Sequence, residues 1–220
     1  GRPEDFIGKE TDSLTIALLE RTESGTGRRS LPGLPDDSFS RAKVPMTKEE
    51  IRVLSLAKLN LKRDSIVYDI GSGSGSVGIE AALFATEGKV YAIEKKEEAY
   101  ALTGENARKH RASNLLQIRG EAPEALQELP APTHAFIGGS SGNLKEIVKL
   151  LLEKNPQVRI VINCITLETV SEALETAKEF GFEENEIVQL SAARSKAIGR
   201  YHMMMGENPI YIITLQNPGK

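Results

Sequence analysis

The chain has 220 residues, 27% of them charged and 40% hydrophobic, and a net charge of −3 at neutral pH. That length suits one large domain, or one domain plus a fragment, with a core of ordinary size, and the acidic balance argues against a dominant nucleic-acid-binding face while leaving room for a local basic pocket. A single cysteine, Cys164, excludes an internal disulfide and fits a reducing cytoplasm, and no apolar run approaches the ~20 residues that span a bilayer.

Residues 1–43 do not read as the start of a nucleotide-binding domain. Ser13-Leu14-Thr15-Ile16-Ala17-Leu18-Leu19-Glu20 has the composition of one strand, but residues 22–29 and 31–35 carry turn and linker chemistry. Residues 1–32 are therefore expected to be a remnant of, or a linker from, an upstream domain, with one domain over 33–220. Arg28 and Arg29 read as a solvated loop. At Thr47-Lys48-Glu49-Glu50 the letters form a capping box, Thr47 as N-cap and Glu50 reaching back, and Ile51, Leu54 and Ala57 continue at helical spacing toward Asn60.

The stretch that organises the chain comes next. Ser65-Ile66-Val67-Tyr68-Asp69-Ile70 reads as a buried strand, Gly71-Ser72-Gly73-Ser74-Gly75-Ser76 as a glycine-alternating turn, and Val77, Ile79, Ala82 and Leu83 as a helix. Glycine lets the backbone turn sharply and come close to a ligand, and a helix N-terminus offers unpaired N–H groups, so the stretch is a nucleotide cradle. Two registers fit it. Gly73-Ser74-Gly75-Ser76-Val77-Gly78 satisfies the dinucleotide pattern G-x-G-x-x-G; Asp69-Ile70-Gly71-Ser72-Gly73-Ser74-Gly75 satisfies the acidic-x-G-x-G-x-G pattern of methyltransferases that use S-adenosyl-L-methionine. Both want an acid closing the next strand to accept from ribose hydroxyls, and Lys89-Val90-Tyr91-Ala92-Ile93-Glu94 supplies Glu94. Asp69 favours the second register, because an acid ahead of the glycines suits an amino group and a sulfonium and repels a pyrophosphate.

Beyond the loop the periods alternate: helix to about Ala85, strand 89–93, helix 97–110, strand 115–119, short helix 123–129, strand 134–137, helix 144–154, strand 158–164, and helix 167–180 ended by Gly181. Such alternation predicts βαβ units in a mainly parallel α/β sheet, with ligands at the carboxyl ends of the strands. The last fifth breaks the rhythm. Strand 186–190, an aperiodic stretch 191–209 and strand 210–215 most simply give two strands paired antiparallel at the end of the sheet. Seven strands with that ending resemble the Rossmann-like class I methyltransferase fold, whereas a dehydrogenase would continue with another crossover; the expected ligand is therefore S-adenosyl-L-methionine.

The strand ends name the candidates. Besides Asp69, the glycine loop and Glu94, the third strand end offers Glu121 and Ala122, facing the adenine, with Glu121 alternatively a helix-start acid. The fourth offers Gly138, Gly139 and Ser140, a wide backbone-lined opening suited to a bulky acceptor, and the fifth Asn163. The terminal connection carries Arg194, Lys196, Arg200, Tyr201 and His202, followed by Met203-Met204-Met205; cations beside aromatic and thioether groups fit a large flat molecule edged with carboxylates, or else a solvated loop with a greasy anchor. No second ligand stands near His202 in sequence, so no metal site is expected. Cys164 reads as a small buried hydrophobe.

Several segments go beyond the general class. Gly33-Leu34-Pro35-Asp36-Asp37-Ser38-Phe39, Met46-Thr47-Lys48-Glu49-Glu50-Ile51-Arg52, the glycine loop, Gly120-Glu121-Ala122-Pro123-Glu124-Ala125-Leu126, Phe136-Ile137-Gly138-Gly139-Ser140 and Asn163-Cys164-Ile165-Thr166-Leu167-Glu168-Thr169 closely resemble the decarboxylating precorrin-6Y methyltransferase family of cobalamin biosynthesis. The resemblance implies methyl transfer to a ring carbon of a precorrin or cobalt-precorrin macrocycle with loss of carbon dioxide from an acetate side chain. It implies cofactor contacts at Thr47, Gly71 to Gly75, Glu94 and Ala122, a homo-oligomer (a tetramer in similar stand-alone members), and an upstream tetrapyrrole methylase domain in two-domain members. Cys164 departs from the small residue expected there, and Gly25-Thr26-Gly27-Arg28-Arg29 has no counterpart in the family's pattern. Arg194, Lys196, Arg200 and His202 are then expected to grip carboxylates, and Tyr201 or His202 to handle the proton. Two other readings stay open at this point: a methyltransferase acting on RNA or protein, which would need a basic face, and an NAD-binding oxidoreductase or nucleotide sensor.

Overall fold

Alternating apolar and helical-period segments fold as a seven-stranded sheet flanked by helices on both faces. The computed structural model describes residues 32–182 and 184–217, with Gly8 and Glu10 besides. The strand expected at residues 13–20, Arg28, Arg29 and nearly all of the proposed upstream remnant lie outside the described residues.

In chain order the elements are α1 (Glu49–Leu59), β1 (Ile66–Ile70), α2 (Ser76–Phe84), β2 (Lys89–Glu94), α3 (Glu97–Lys109), β3 (Leu115–Arg119), β4 (His134–Ile137), α4 (Leu144–Lys154), β5 (Arg159–Cys164), α5 (Leu167–Glu179), β6 (Glu184–Leu190), β7 (Ala193–Ile198), β8 (Tyr201–Gly206) and β9 (Ile210–Gln216). The sheet order is β3-β2-β1-β4-β5-β9-β6. The first five strands are parallel, and β9 runs antiparallel to both β5 and β6. Alternation along each strand sends side chains to two cores. Tyr68, Ile70 and Ile93 pack with Leu144, Ile147 and Leu151 of α4 and Ala173 and Ala177 of α5; Val67, Val90 and Ala92 pack with Ile51 and Leu59 of α1 and Ile79 and Ala82 of α2.

The two terminal strands pair antiparallel, as expected, but β9 inserts between β5 and β6. The stretch between them is not irregular: β7 and β8 form a separate two-stranded sheet. Nearly all of its side chains are exposed in the single chain, so no period of two marks it as strand. The capping box is corrected too. Helix α1 starts at Glu49 with Lys48 at the N-cap and no side-chain cap, while Thr47 precedes it and offers its carbonyl to Arg52 Nη1 at 2.6 Å. The short helix expected at 123–129 is one 3₁₀ turn, Glu124–Leu126.

Residues 33–48 cross the face formed by α1, α2 and α3 and are tied down along their length. Glu80 accepts from the amides of Gly33 (2.7 Å) and Leu34 (3.0 Å). The Asn106 side-chain oxygen accepts from Ser40 N (2.7 Å), and its nitrogen donates to Ser40 O (3.0 Å) and to Ser74 O in the glycine loop (2.9 Å). Phe39 stacks on His110, ring centroids 4.5 Å apart, and under the Arg52 guanidinium at 4.9 Å. Arg52 itself has no exposed side-chain surface. It pairs with Glu80 at 2.5 Å and Asp36 at 3.2 Å and donates to the carbonyls of Leu34 and Thr47.

Candidate active site

The strand order reverses between β1 and β4, where two adjacent crossovers part and leave a cleft outside the carboxyl ends of the strands. It holds about 790 Å³. One half is made by Ile70, Gly71, Ser72 and Gly73 after β1, Glu94, Lys95 and Lys96 at the end of β2, Gly120, Glu121 and Ala122 after β3, and the crossing segment from Lys43 to Lys48. The other half is made by Gly138, Gly139, Ser140 and Ser141 after β4, Asn163 and Ile165 at β5, and Gly206, Glu207, Asn208 and Ile210 between β8 and β9.

The loop needs its first two glycines for space as well as for turning. Gly71 (φ +72°) and Gly73 (φ +57°) lie in the left-handed region; a Cβ on Gly71 would come within 2.8 Å of the Gly139 carbonyl oxygen, and one on Gly73 within 2.9 Å of the Pro45 carbonyl oxygen. Glu94 is 9% exposed. Its Oε2 accepts from Gly73 N (3.0 Å) and its Oε1 from Lys96 N (2.9 Å), which fixes the carboxylate at the cleft with lone pairs left over for a vicinal diol. A cradle that a Cβ would fill, with a carboxylate beside it, fits S-adenosylmethionine: Glu94 for the ribose, Ala122 and Ile93 for the base, the backbone of Gly71 to Gly73 for the amino-acid end.

Of the residues expected from sequence, the structure brings Thr47, Gly71, Ser72, Gly73, Glu94, Glu121, Ala122, Gly138, Gly139, Ser140 and Asn163 together on this cleft. Asn163 is oriented by Ser55, whose hydroxyl donates to Asn163 Oδ1 at 3.1 Å. Glu121 sits at the rim, where its hydrogen bond to Lys95 (2.7 Å) lowers its carboxyl below the usual range. Asp69, Ser74 and Gly75, also expected at the cofactor, do not line the cleft. Asp69 is 1% exposed and accepts from Gly78 N at 2.8 Å, tying β1 to the start of α2. Ser74 is buried, and Gly75 (φ +76°) is the N-cap of α2 packed on Thr103. Lys196, Arg200, Tyr201 and His202 are exposed on the hairpin and do not line the cleft, and Arg194 forms ion pairs with Glu50 and Asp36. What sequence reasoning missed is the pair of flanking walls, Lys43 to Pro45 and Glu207–Asn208, which carry no motif and reach the cleft only through tertiary contacts. Among the described residues no group of three or more His, Cys, Asp or Glu side chains could hold a metal.

Burial raises the Asp69 carboxyl to about 7, with the Gly78 amide opposing and the Glu94 charge adding to the rise. An acid raised on folding contributes stability that is complete below ~4 and is lost as pH climbs through about 7. His134, lowered to about 4 chiefly by burial, works in the opposite sense across the same window, so the informative quantity is a difference. Relative to Asp69→Asn, the ligand-free wild type is expected to lose stability as pH rises from 4 to 8, on the order of 4 kcal/mol for about three pK units. Thermal melts of both proteins across that range check this; a constant offset contradicts it. Cys164 is buried, which pushes its thiol up to about 11 and leaves it unreactive.

Residues 37–217 match the family model described as the precorrin methyltransferase domain. A relative from Pyrobaculum calidifontis, named a probable cobalt-precorrin-6B C(15)-methyltransferase (decarboxylating), is 44% identical over 186 residues, covering 83% of this chain and 95% of that protein. Among solved structures, the precorrin-6Y C5,15-methyltransferase of Geobacter metallireducens superposes with a TM-score of 0.80 at 36% identity, over 84% of this chain and 97% of that one. The precorrin 8w decarboxylase of Methanobacterium thermoautotrophicum gives 0.77 at 35% identity, over 83% and 98%.

Proposed function

The chain belongs to the precorrin methyltransferase family, and from that premise we propose that it methylates a meso carbon of a precorrin or cobalt-precorrin macrocycle while an acetate side chain leaves as carbon dioxide, in cobalamin biosynthesis. It is an S-adenosylmethionine-dependent methyltransferase of the class I α/β fold. The observation that carries the finer reading is the division of one cleft between a Glu94–glycine-loop half and a wide, backbone-lined half of Gly138, Gly139, Ser140 and Ser141.

When bound, S-adenosylmethionine supplies a methyl group on a positively charged sulfur. The chain's own work is alignment. Glu94 holds a diol, Gly71 and Gly73 allow close backbone approach, and Asn163, held by Ser55, faces the acceptor across from them. A meso carbon between pyrrole-type rings is already nucleophilic, so orientation and exclusion of water account for most of the acceleration. Carbon dioxide leaves with its electrons passing into the conjugated ring system, and a proton must return to the side-chain carbon. Glu207 is the titratable side chain that lines the acceptor half, and we place it at that step in preference to Tyr201 or His202. Incubation with S-adenosylmethionine and a precorrin-6-type acid should give a product that has gained one methyl and lost one carboxyl by mass; no mass change with this acceptor, together with methylation of RNA or protein, overturns the reading.

The chain also presents a surface suited to copies of itself. Ile198, Tyr201, Met203, Met204 and Met205, all on or flanking the β7–β8 hairpin, are 47% to 64% exposed, and an isolated two-stranded sheet is marginal in water. We therefore place a homo-oligomer interface on the hairpin, consistent with a tetramer. Met204→Glu is expected to yield a smaller species by light scattering with its melting temperature nearly unchanged if the interface lies there; an unaltered mass removes the hairpin from it. The lone buried thiol suits a cytoplasmic setting, and among the described residues no helix is long and apolar enough to cross a membrane.

A further inference from the structure

Asp36 stands between two arginines that reach opposite walls of the cleft. Its Oδ1 lies 3.2 Å from Arg52 Nη1 and its Oδ2 lies 3.1 Å from Arg194 Nη1, and the residue is 8% exposed. Arg52 uses the same Nη1 to donate to the Thr47 carbonyl at 2.6 Å, which ties the end of the Lys43-to-Lys48 wall to α1. Arg194, on β7, donates through Nε and Nη2 to the two oxygens of Glu50 at 3.1 and 2.5 Å. Strand β7 in turn carries the acceptor-side wall, because Ala193 pairs with Gly206 and Glu207 N donates to Ala192 O at 2.9 Å. Asp36, Arg52 and Arg194 do not themselves line the cleft.

We propose that Asp36 is a positioning residue whose carboxylate joins the donor-side wall, through Arg52 and Thr47, to the acceptor-side wall, through Arg194 and the Gly206–Glu207 backbone, and so sets the gap across which the methyl group moves. The inference rests on the methyltransferase reading for its consequence but not for its geometry. A carboxylate shared by two guanidiniums transmits position because each arginine also makes backbone or bidentate contacts that a displaced Asp36 would strain. The arrangement also gives Arg194, which the sequence suggested for substrate, a task one step removed from it.

The test uses the described domain in its full chain. In ligand-free protein, Asp36→Asn is expected to speed amide hydrogen exchange together at the Arg52 and Glu207 amides, while β1, β2 and β4 keep their wild-type rates. With substrates, KM for the tetrapyrrole should rise about tenfold and the dissociation constant of S-adenosylmethionine about threefold, since small misplacements at a reacting centre cost that order or more. Arg194→Gln should raise the acceptor KM alone, and combining it with Asp36→Asn should add little further. A purely structural role would lower the melting temperature and leave exchange uniform and both constants within about twofold in the folded protein; that result, or an effect confined to one wall, overturns the proposal. Should Asp36→Asn fail to fold, Arg194→Gln decides: faster exchange at the Arg52 amide together with Glu207 supports the coupling, and an unchanged rate or a change confined to Glu207 overturns it. If wild type turns over no tetrapyrrole, the functional reading fails, while the exchange comparison still settles the role of Asp36.

Discussion

Glu94→Gln is expected to weaken S-adenosylmethionine binding about 100-fold, measured by calorimetric titration. The carboxylate is fixed from both sides, Oε2 by Gly73 N and Oε1 by Lys96 N, so it does not need to be ordered by the ligand. Two charge-assisted bonds to a ribose diol are worth about 1.5–3 kcal/mol each, and an amide keeps one acceptor while turning a donor toward a hydroxyl or toward the Gly73 amide. A loss of ~3 kcal/mol corresponds to about two powers of ten. Affinity within threefold of wild type would remove Glu94 from the ribose contact.

The second large effect concerns stability. Arg52→Met should destabilise the fold by about 3–5 kcal/mol, because it leaves Glu80 a buried carboxylate without its cation and Asp36 with Arg194 alone. The carbonyls of Leu34 and Thr47 lose a donor at the same time. For a domain of this size the melting temperature should fall by roughly 6–20 °C. If uncompensated charge is the cause, Arg52→Met combined with Glu80→Gln is less destabilised than Arg52→Met alone, even though a neutral side chain at that position no longer offers the Gly33 and Leu34 amides two anionic oxygens. An additive loss in the double variant would assign the effect to packing instead.

Much of this architecture is written locally. Ile66–Ile70 and His134–Ile137 are buried on both faces, so they read as short apolar runs, and the Gly71–Gly73 turn and Glu94 are recognisable from letters a few residues apart. The same locality explains why the letters did not show where the Asp69 carboxylate points. A motif gives the order of residues and not the direction of a side chain, and here the carboxylate turns back to the Gly78 amide behind the loop. Ser74 and Gly75 likewise lie off the cleft lining, the first buried and the second starting α2.

The two flanking walls were beyond local reading because distant partners assemble them. Ser40 is held by Asn106, 66 positions away, and Arg194 by Glu50, 144 positions away. The β7–β8 hairpin was hidden differently. With both faces exposed in one chain, it buries neither a helical nor an alternating set of side chains, and no such period marks it.

The most direct test of the account follows a labelled methyl carbon. Protein, S-adenosylmethionine carrying ¹³C in the transferred methyl, and a precorrin-6-type macrocycle should yield a product whose labelled carbon is coupled to a ring meso carbon in the NMR spectrum, with carbon dioxide released in step with it. A label found on oxygen or nitrogen, or a methylated ring that keeps all of its carboxyl groups, would contradict it.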